Sequence, residues 1–420
     1  MTAVEAIQYI HSQGKHPVAP GLDRMRRLLD ALGNPQDALR YIHVAGTNGK
    51  GSVCAMLDSI LRAAGYRVGL FTSPYIRRFQ ERIQVGGEQI SDGDLAEITA
   101  LVKGKVESLG EVMSEFELIT AIGFVYFQRQ NVDVVVLEVG LGGRFDPTNV
   151  IKNPLLSIIT DIDLDHTAQL GNTIQSIAAE KAGIIKEGHP FLYGGKENSA
   201  CRTIRNIARE RNAPFHTVDR SDYHVVEMTL DGTVFDFQNY TALHLPLLGS
   251  YQPFNAAIVL TALRILEEGG MTGSEDDLRR GLSSVRWPSR FELMRRDPIV
   301  ICDGGHNPQG VAAAVKSIQT YFPEQKVNLL SGVMADKDYD EMIESLRPIA
   351  NRVYTVAPDL PRALPAEEYA SHFRMHRIEA NAYASVKEAY DAAIADSYRE
   401  EIPLLCLGSL YLYHSISELI

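Results

Sequence analysis

Lys50 and Ser52 close a glycine-rich turn, Gly46-Thr47-Asn48-Gly49-Lys50-Gly51-Ser52, whose residue types belong to polyphosphate chemistry. Gly49 and Gly51 leave room for backbone N–H groups to wrap around phosphate oxygens. Lys50 would neutralise the β and γ phosphates, and the Ser52 hydroxyl would reach Mg²⁺. An ordinary strand-to-helix turn also favours Gly and Asn. The flanking pattern argues for phosphate binding, because an apolar run precedes the turn and helical periodicity follows it. Two residues separate Gly46 from Gly49, and Gly51 intervenes before Ser52. Phosphate loops at large are spaced differently, so the turn predicts a subfamily.

Four further clusters carry reactive side chains. Glu138 ends the apolar run in Val136-Leu137-Glu138-Val139-Gly140-Leu141-Gly142-Gly143-Arg144. A carboxylate there is costly to bury unless it meets a cation, so it is either a Mg²⁺ ligand or the partner of Arg144. Asp161-Ile162-Asp163-Leu164-Asp165-His166 leaves another apolar run and suggests a divalent cation or a phosphate-activating site, with a solvated loop as the alternative. Lys181 lies among small and apolar neighbours on a helix. It either snorkels to solvent or has a special state, such as a carbamate that turns a cation into a metal-binding anion. In Cys302-Asp303-Gly304-Gly305-His306-Asn307-Pro308, Asp303 could accept from a ribose and His306 could meet a phosphate or carboxylate. Asn307 capping a helix begun by Pro308 is compatible with both.

These residues need strand ends to hold them. Apolar residues Val53, Met56, Leu57, Ile60, Leu61 and Ala64 repeat at helical spacing after the turn, and Gly65 sits where such a helix would be capped. Residues 67–71, 132–139 and 155–160 read as strands buried on both faces, with a helix over 117–128 between two of them. A parallel α/β sheet follows. Between Tyr223 and Pro246 alternation around Asp231-Gly232 predicts a hairpin. Beyond a break at 285–290, strands over 299–303, 327–332, 353–357 and 404–408 alternate with helices beginning near Pro308, Asp338 and Ala384, a second α/β domain. The expected domains are residues 1–287 and 288–420.

At 420 residues the chain is too long for one ordinary core, and 45% hydrophobic with 22% charged residues describes a soluble globular protein. No apolar run is long enough to cross a bilayer, and Glu5, His11 and Lys15 interrupt any signal-peptide core. Cys54, Cys201, Cys302 and Cys406 show no paired spacing, which predicts buried free thiols and a reducing cytoplasm. A net charge of −12 disfavours nucleic acid as a partner.

Taken together, the Gly46–Ser52 turn, Thr72-Ser73-Pro74, the segment 138–149, Asp165-His166-Thr167, Glu180-Lys181-Ala182-Gly183 and the segment 303–308 resemble the folylpolyglutamate synthase/dihydrofolate synthase family, the folate branch of the Mur-type ATP-dependent amide ligases. The resemblance runs in order from about Gly21 to Tyr411. It implies a large P-loop ATPase domain with a mostly parallel sheet plus a smaller Rossmann-like C-terminal domain, in a cytoplasmic monomer that binds neither nucleic acid nor membrane. Its substrates would be ATP, L-glutamate and a reduced folate or dihydropteroate, with two Mg²⁺ ions and a monovalent cation such as K⁺.

By motif, Gly49, Lys50, Gly51 and Ser52 would hold ATP together with Asn255, Arg290, Asp303 and His306. Ser52, Ser73, Glu138 and His166 would serve the metal. Lys50, His166 and a carbamylated Lys181 would be catalytic. Gly21, Leu22, Asp23, Arg24, Ser114, Glu115, Phe116, Glu117, Phe145, Asp146 and Pro147 match segments that contact the pterin. Three positions depart from the family pattern: Tyr75 where His is frequent, Gly305 where Ala is usual and Ser289 where Gly is common. Arg77, Arg78 and Arg82 follow the Thr-Ser-Pro segment and either attract an anionic glutamate tail or are solvated surface arginines. A simple P-loop ATPase and a peptidoglycan-type Mur ligase are the rival readings outside the family, and a monofunctional folylpolyglutamate synthase is the alternative within it. The first has no need of Lys181 or the 303–308 motif, and the Lys-Gly-Ser ending and Leu-Gly-Gly-Arg segment favour the folate branch over the second.

Overall fold

A computed structural model describes residues 1–14 and 21–420; Lys15 therefore lies outside the described residues. Contacts group the chain into two compact units, Met1–Tyr223 with Phe254–Val285, and His224–Pro253 with Arg286–Ile420.

The first unit is built on eight strands: β1 Tyr41–Ala45, β2 Val68–Phe71, β3 Ile83–Val85, β4 Glu88–Gln89, β5 Val134–Glu138, β6 Leu156–Ile159, β7 Phe191–Tyr193 and β8 Phe215–Thr217. Their order is β4-β3-β2-β5-β1-β6-β7-β8. From β2 to β8 all neighbours are parallel, and only β3 and β4 run antiparallel at one edge. β5 is Val-Val-Val-Leu-Glu and every residue is buried, as a central strand covered on both faces requires. Glu138 at its end pairs in register with Val44 of β1. The ends of β1, β5 and β6 thus deliver the glycine turn, Glu138 and Asp161 to one edge of the sheet, where open parallel sheets bind ligands.

Helix Lys50–Ala63 follows the turn and is buried along most of its length, ending at Gly65 in the left-handed conformation. Helix Glu115–Arg129 starts at a capping box in which Ser114 and Glu117 satisfy each other's backbone N–H groups. Phe124, Phe127 and Ile122 from this helix pack into a core with Phe71, Val135 and Leu137.

Apart from Tyr223, the second unit holds β9 Tyr223–Thr229, β10 Gly232–Phe237 and β11 Tyr240–Leu245 as a three-stranded sheet. It also holds β12 Glu292–Arg296, β13 Ile299–Cys302, β14 Val327–Ser331, β15 Ala350–Thr355, β16 Glu379–Ala382 and β17 Leu404–Leu407. These six run in the order β12-β13-β17-β14-β15-β16, parallel except for β12. By contacts, residues 224–253 group with the second unit. Leu248 is buried in the second core, Ser250 N donates to Ser317 Oγ at 2.9 Å, and Gly249 N donates to the Tyr321 hydroxyl at 3.1 Å. All four cysteines are buried and free. Among the described residues no helix is long and apolar enough to cross a membrane.

Candidate active site

The turn after β1 has the shape its glycines imply. Gly46 has φ +148°, and a Cβ there would stand 1.9 Å from Thr160 Oγ1 at the end of β6. That hydroxyl donates to the Asn48 carbonyl at 2.6 Å, and Thr47 N donates to the Asp161 carbonyl at 2.8 Å, so the turn is tied to the segment leaving β6. Gly49 is left-handed at φ +85°, and a Cβ on it would meet Asn255 Oδ1 at 2.8 Å. Asn255 therefore lies against the turn, while Gly51 and Ser52 are buried in the first helical turn that no side chain caps.

Two lysines converge here. Lys50 Nζ donates to the carbonyls of Gly46 and Thr47 at 3.0 and 3.1 Å. Lys181 Nζ donates to the same Gly46 carbonyl at 2.8 Å. Lys181 is only 6% exposed, which excludes snorkelling to solvent. Burial first, and then Lys50, bring its pKa down to about 7.

The acids are divided between metal-type and structural settings. Glu138 is 3% exposed, and its Oε2 accepts from Ser73 N at 2.9 Å, so two residues expected at a metal lie together. Arg144 turns instead to Glu180, Nε to Oε1 at 3.5 Å. The Gly143-Arg144 turn also presses backbone to backbone on Glu180–Gly183: a Cβ on Gly183 would be 2.3 Å from Arg144 Cα. His166 has φ +50° and is 44% exposed, with Nε2 at 3.8 Å from Asp165 Oδ2. Burial raises the pKa of Asp161 against a hydrogen bond from Ile162 N. Among the described residues no three His, Cys, Asp or Glu side chains form a closed metal cage. Ser52, Ser73 and Glu138 offer the hydroxyl and carboxylate oxygens that Mg²⁺ takes together with phosphate and water, whereas the His166 imidazole is a ligand type more usual for transition metals.

The residues expected at the pterin form two linked groups. Leu22 is in the core, Asp23 is exposed, and Arg24 Nη2 reaches Glu117 Oε1 at 3.2 Å. Gly21, at φ +140°, opens this segment. Ser114 N and Oγ both donate to Glu117 Oε2 at 2.8 Å, and Glu115 holds His11 at 3.2 Å. Phe116 packs edge-on against Phe71 and would touch a Cβ on Gly140 at 2.5 Å. It thereby links the group to the turn that Asp146 holds. Asp146 Oδ2 accepts from Gly140 N and Leu141 N at 3.0 and 2.9 Å, and its Oδ1 accepts from Thr148 N and Oγ1. Phe145 beside it is half exposed, and Pro147 begins a short 3₁₀ turn.

Two features escaped the sequence reading, and a third departs from it. His43, buried in β1, sits 2.9 Å from Thr148 Oγ1; the signal was a polar residue inside an apolar strand. Glu81 accepts from three consecutive backbone N–H groups, of Ile76, Arg77 and Arg78, and so shapes the segment after Ser73. Arg82, expected with Arg77 and Arg78 either to attract an anionic glutamate tail or to be solvated at the surface, is buried, with its guanidinium 5.0 Å from the Tyr75 ring centre. Stacking on aromatic faces removes it from any surface cluster.

In the second unit, Asp303 ends β13 and is buried. Oδ2 accepts from Phe291 N at 2.8 Å and from the Tyr251 hydroxyl at 3.2 Å, and Oδ1 accepts from Gly305 N at 2.7 Å. Its pKa is raised by burial. Arg290 Nη1 donates to Ser289 O at 2.9 Å, and His306 Nδ1 lies 2.9 Å from Gly304 O. Asn307 caps the helix Pro308–Tyr321 through Gly310 N at 2.7 Å. Ser289 has φ +60°, a backbone conformation that suits the glycine the resemblance leads one to expect there.

Comparison with known proteins identifies the family. The Mur ligase middle domain matches residues 44–263, and the Mur ligase, glutamate ligase domain matches residues 289–410. The chain is 40% identical to the dihydrofolate synthase/folylpolyglutamate synthase of Bacillus subtilis over 87% of each chain. It is 36% identical to the folylpolyglutamate synthase of Lacticaseibacillus casei over 100% of this chain and 98% of that one. The structure of E. coli FolC in complex with DHPP and ADP superposes with a TM-score of 0.87 at 31% identity, covering 100% of this chain and 97% of that one. Mycobacterium tuberculosis folylpolyglutamate synthase, complexed with ADP and AMPPCP, gives 0.89 at 30% identity, covering 99% and 98%. The chain belongs to the dihydrofolate synthase/folylpolyglutamate synthase family of Mur-type ligases.

Proposed function

We propose that this protein is an ATP-dependent ligase that joins L-glutamate to tetrahydrofolate and to 7,8-dihydropteroate. The observation that carries the reading is the meeting of Lys50 and Lys181 on the Gly46 carbonyl. A simple P-loop ATPase needs the first lysine and has no use for a buried second one.

A carboxylate and an amine do not condense in water, so the acid must first become a better acyl donor. The γ-phosphoryl of ATP passes to the acceptor carboxylate, giving an acyl phosphate and ADP. The α-amine of glutamate attacks the acyl carbon, and phosphate leaves from the tetrahedral intermediate as the amide forms. Positioning and electrostatics carry most of such chemistry.

Gly49, Gly51 and the uncapped first turn of helix 50–63 present N–H groups to the phosphates. Lys50 swings from the Gly46 and Thr47 carbonyls to the transferring group. Asn255, which touches Gly49, is assigned to the nucleotide, as are Arg290, Asp303 and His306 by their motifs. Ser52, Ser73, Glu138 and His166 are assigned to Mg²⁺, which when bound would spread charge on the phosphoryl oxygens. Lys181, whose pKa of about 7 leaves much of the amine neutral near neutral pH, is the side chain suited to carbamylation. Its carbamate would face Lys50 across the same turn. Gly21–Arg24, Ser114–Glu117 and Phe145–Pro147 are assigned to the pterin end of the acceptor.

The test is ADP release with glutamate plus either dihydropteroate or tetrahydrofolate, each alone. Both acceptors should give release that depends on glutamate, with a coupled product. Release indifferent to glutamate would leave only an ATPase.

A further inference from the structure

His43 stands at the middle of β1, the third strand-forming residue of Tyr-Ile-His-Val-Ala, with every neighbour in the strand apolar or aromatic. Burying an imidazole at the centre of a sheet is costly unless its nitrogens are used. One of them is: Nε2 lies 2.9 Å from Thr148 Oγ1. Thr148 Oγ1 in turn donates to Asp146 Oδ1 at 2.5 Å. A hydroxyl has a single proton, and a carboxylate takes it. Thr148 must therefore accept from His43, which places the imidazole proton on Nε2 and leaves Nδ1 bare. Nδ1 is buried and has no hydrogen-bond partner among the described residues. Burial, then Lys186, keep the ring in its neutral form. A neutral ring with its proton on Nε2 donates in only one direction, toward Thr148.

From these contacts we infer that His43 is a positioning residue for the acceptor site, acting through Thr148 on Asp146. Asp146 fixes the turn after Glu138 by accepting from Gly140 N and Leu141 N, and Phe116 rests on that turn. Burial pushes the Asp146 pKa up, and the hydrogen bonds from Thr148, Leu141 and Gly140 oppose it. The His43–Thr148 pair polarises the strongest of those donors and holds the carboxylate ionised and aimed. The inference rests on the assignment of Phe145–Pro147 to the acceptor.

Five variants test it: His43→Leu, His43→Gln, Thr148→Val, the double variant His43→Leu/Thr148→Val, and Asp146→Asn. KM values for acceptor and for ATP are measured with kcat across pH, and melting temperature reports folding. His43→Leu and Thr148→Val should each raise the acceptor KM by roughly ten-fold, the factor expected for a lost hydrogen bond that serves a charged group, with the ATP KM changed less than two-fold. The double variant should be no worse than the worse single, because both cut one chain. His43→Gln, whose amide can donate to Thr148, should recover most of the loss. The acid limb of the acceptor KM should move to higher pH in the Leu and Val variants, since removing a donor raises a carboxylate's pKa. Lys181, which also feels Asp146, is common to all variants and does not produce that shift.

Additive losses, or lower melting temperatures with an unchanged acceptor KM and pH limb, would overturn the role and leave His43 as packing alone. If His43→Leu does not fold, His43→Phe, which keeps a ring and removes the Nε2 donor, carries the same readouts, since Thr148→Val also removes the direct bond to Asp146. Asp146→Asn separates the two ideas. An acceptor KM unmoved by it removes the assignment of 145–147. A KM raised by it but not by the other variants removes only the role of His43.

Discussion

Lys50 and Lys181 end on one oxygen: both Nζ atoms donate to the Gly46 carbonyl, from 3.0 and 2.8 Å. The second of these amines is the unusual one, because burial and Lys50 bring its pKa to about 7 from the ordinary 10.5. Between those two values the unfolded chain binds the extra proton, so this site's contribution to stability rises with pH through that window. Below pH 7 the full cost of a buried charge is present. The neutral amine, dominant above pH 7, is the form that attacks CO₂, forming an N–C bond and releasing a proton. Protein incubated with ¹³C-bicarbonate should show a carbamate carbon signal at pH 8 that fades by pH 6, and Lys181→Ala should lack it and lose ligase activity about 100-fold or more. A wild-type chain with no labelled carbon at pH 8 sinks the carbamate.

Gly46 and Gly65 make a controlled pair. Both have positive φ, +148° and +89°, but a Cβ on Gly65 meets nothing within 4 Å, whereas on Gly46 it would strike Thr160 Oγ1 at 1.9 Å. Gly65→Ala should cost about 1 kcal/mol of stability and leave turnover intact. Gly46→Ala must move either the turn or β6, and nucleotide binding should fall by at least about 100-fold. Equal effects in a thermal melt and a nucleotide titration would refute the view that the turn is fitted to Thr160.

The parts of this site readable in the sequence were those held by local patterns. The apolar run ending at Ala45, the glycine turn and the periodic residues Val53 to Leu61 gave β1 and its helix nearly residue for residue. Val134–Glu138 and Leu156–Ile159 stood out because strands buried on both faces must be continuously apolar. The edge strands did not: Glu88–Gln89 is a two-residue polar strand, and Glu292–Arg296 carries three charges in five residues with no alternation. β7 and β8, each of three residues, were too short to show any period. Contacts across the fold were hidden for a different reason. Lys181 reaches Gly46 across 135 positions and His43 reaches Thr148 across 105, and no spacing rule connects residues that only the sheet order brings together. The choice between a snorkelling and a buried Lys181 was of that kind.

Glu138 tests the metal assignment directly. Its Oε2 accepts from Ser73 N at 2.9 Å, and Glu138→Gln keeps an oxygen for that bond while removing the charge. The Mg²⁺ concentration for half-maximal activity should rise about ten-fold or more, since a hard cation loses an anionic ligand. Melting temperature in the absence of Mg²⁺ should hold or increase, because a buried carboxylate has been neutralised. An unchanged Mg²⁺ titration would move the metal elsewhere.

Arg24 and Glu117 separate bracing from substrate contact. Their ion pair at 3.2 Å is largely hidden, with side chains 15% and 2% exposed, and Glu117 also takes both donors of Ser114. Removing only the cation strands a buried carboxylate, so Arg24→Ala should lose roughly 3–5 kcal/mol in a urea titration. Glu117→Gln should cost less, and Arg24→Ala/Glu117→Gln should be more stable than Arg24→Ala, because the stranded charge is gone. Acceptor KM decides what the pair does beyond that. If it rises in Arg24→Ala yet returns in the double variant along with stability, the pair acts by holding the start of helix 115–129. If it rises in both alike, the guanidinium itself meets the substrate.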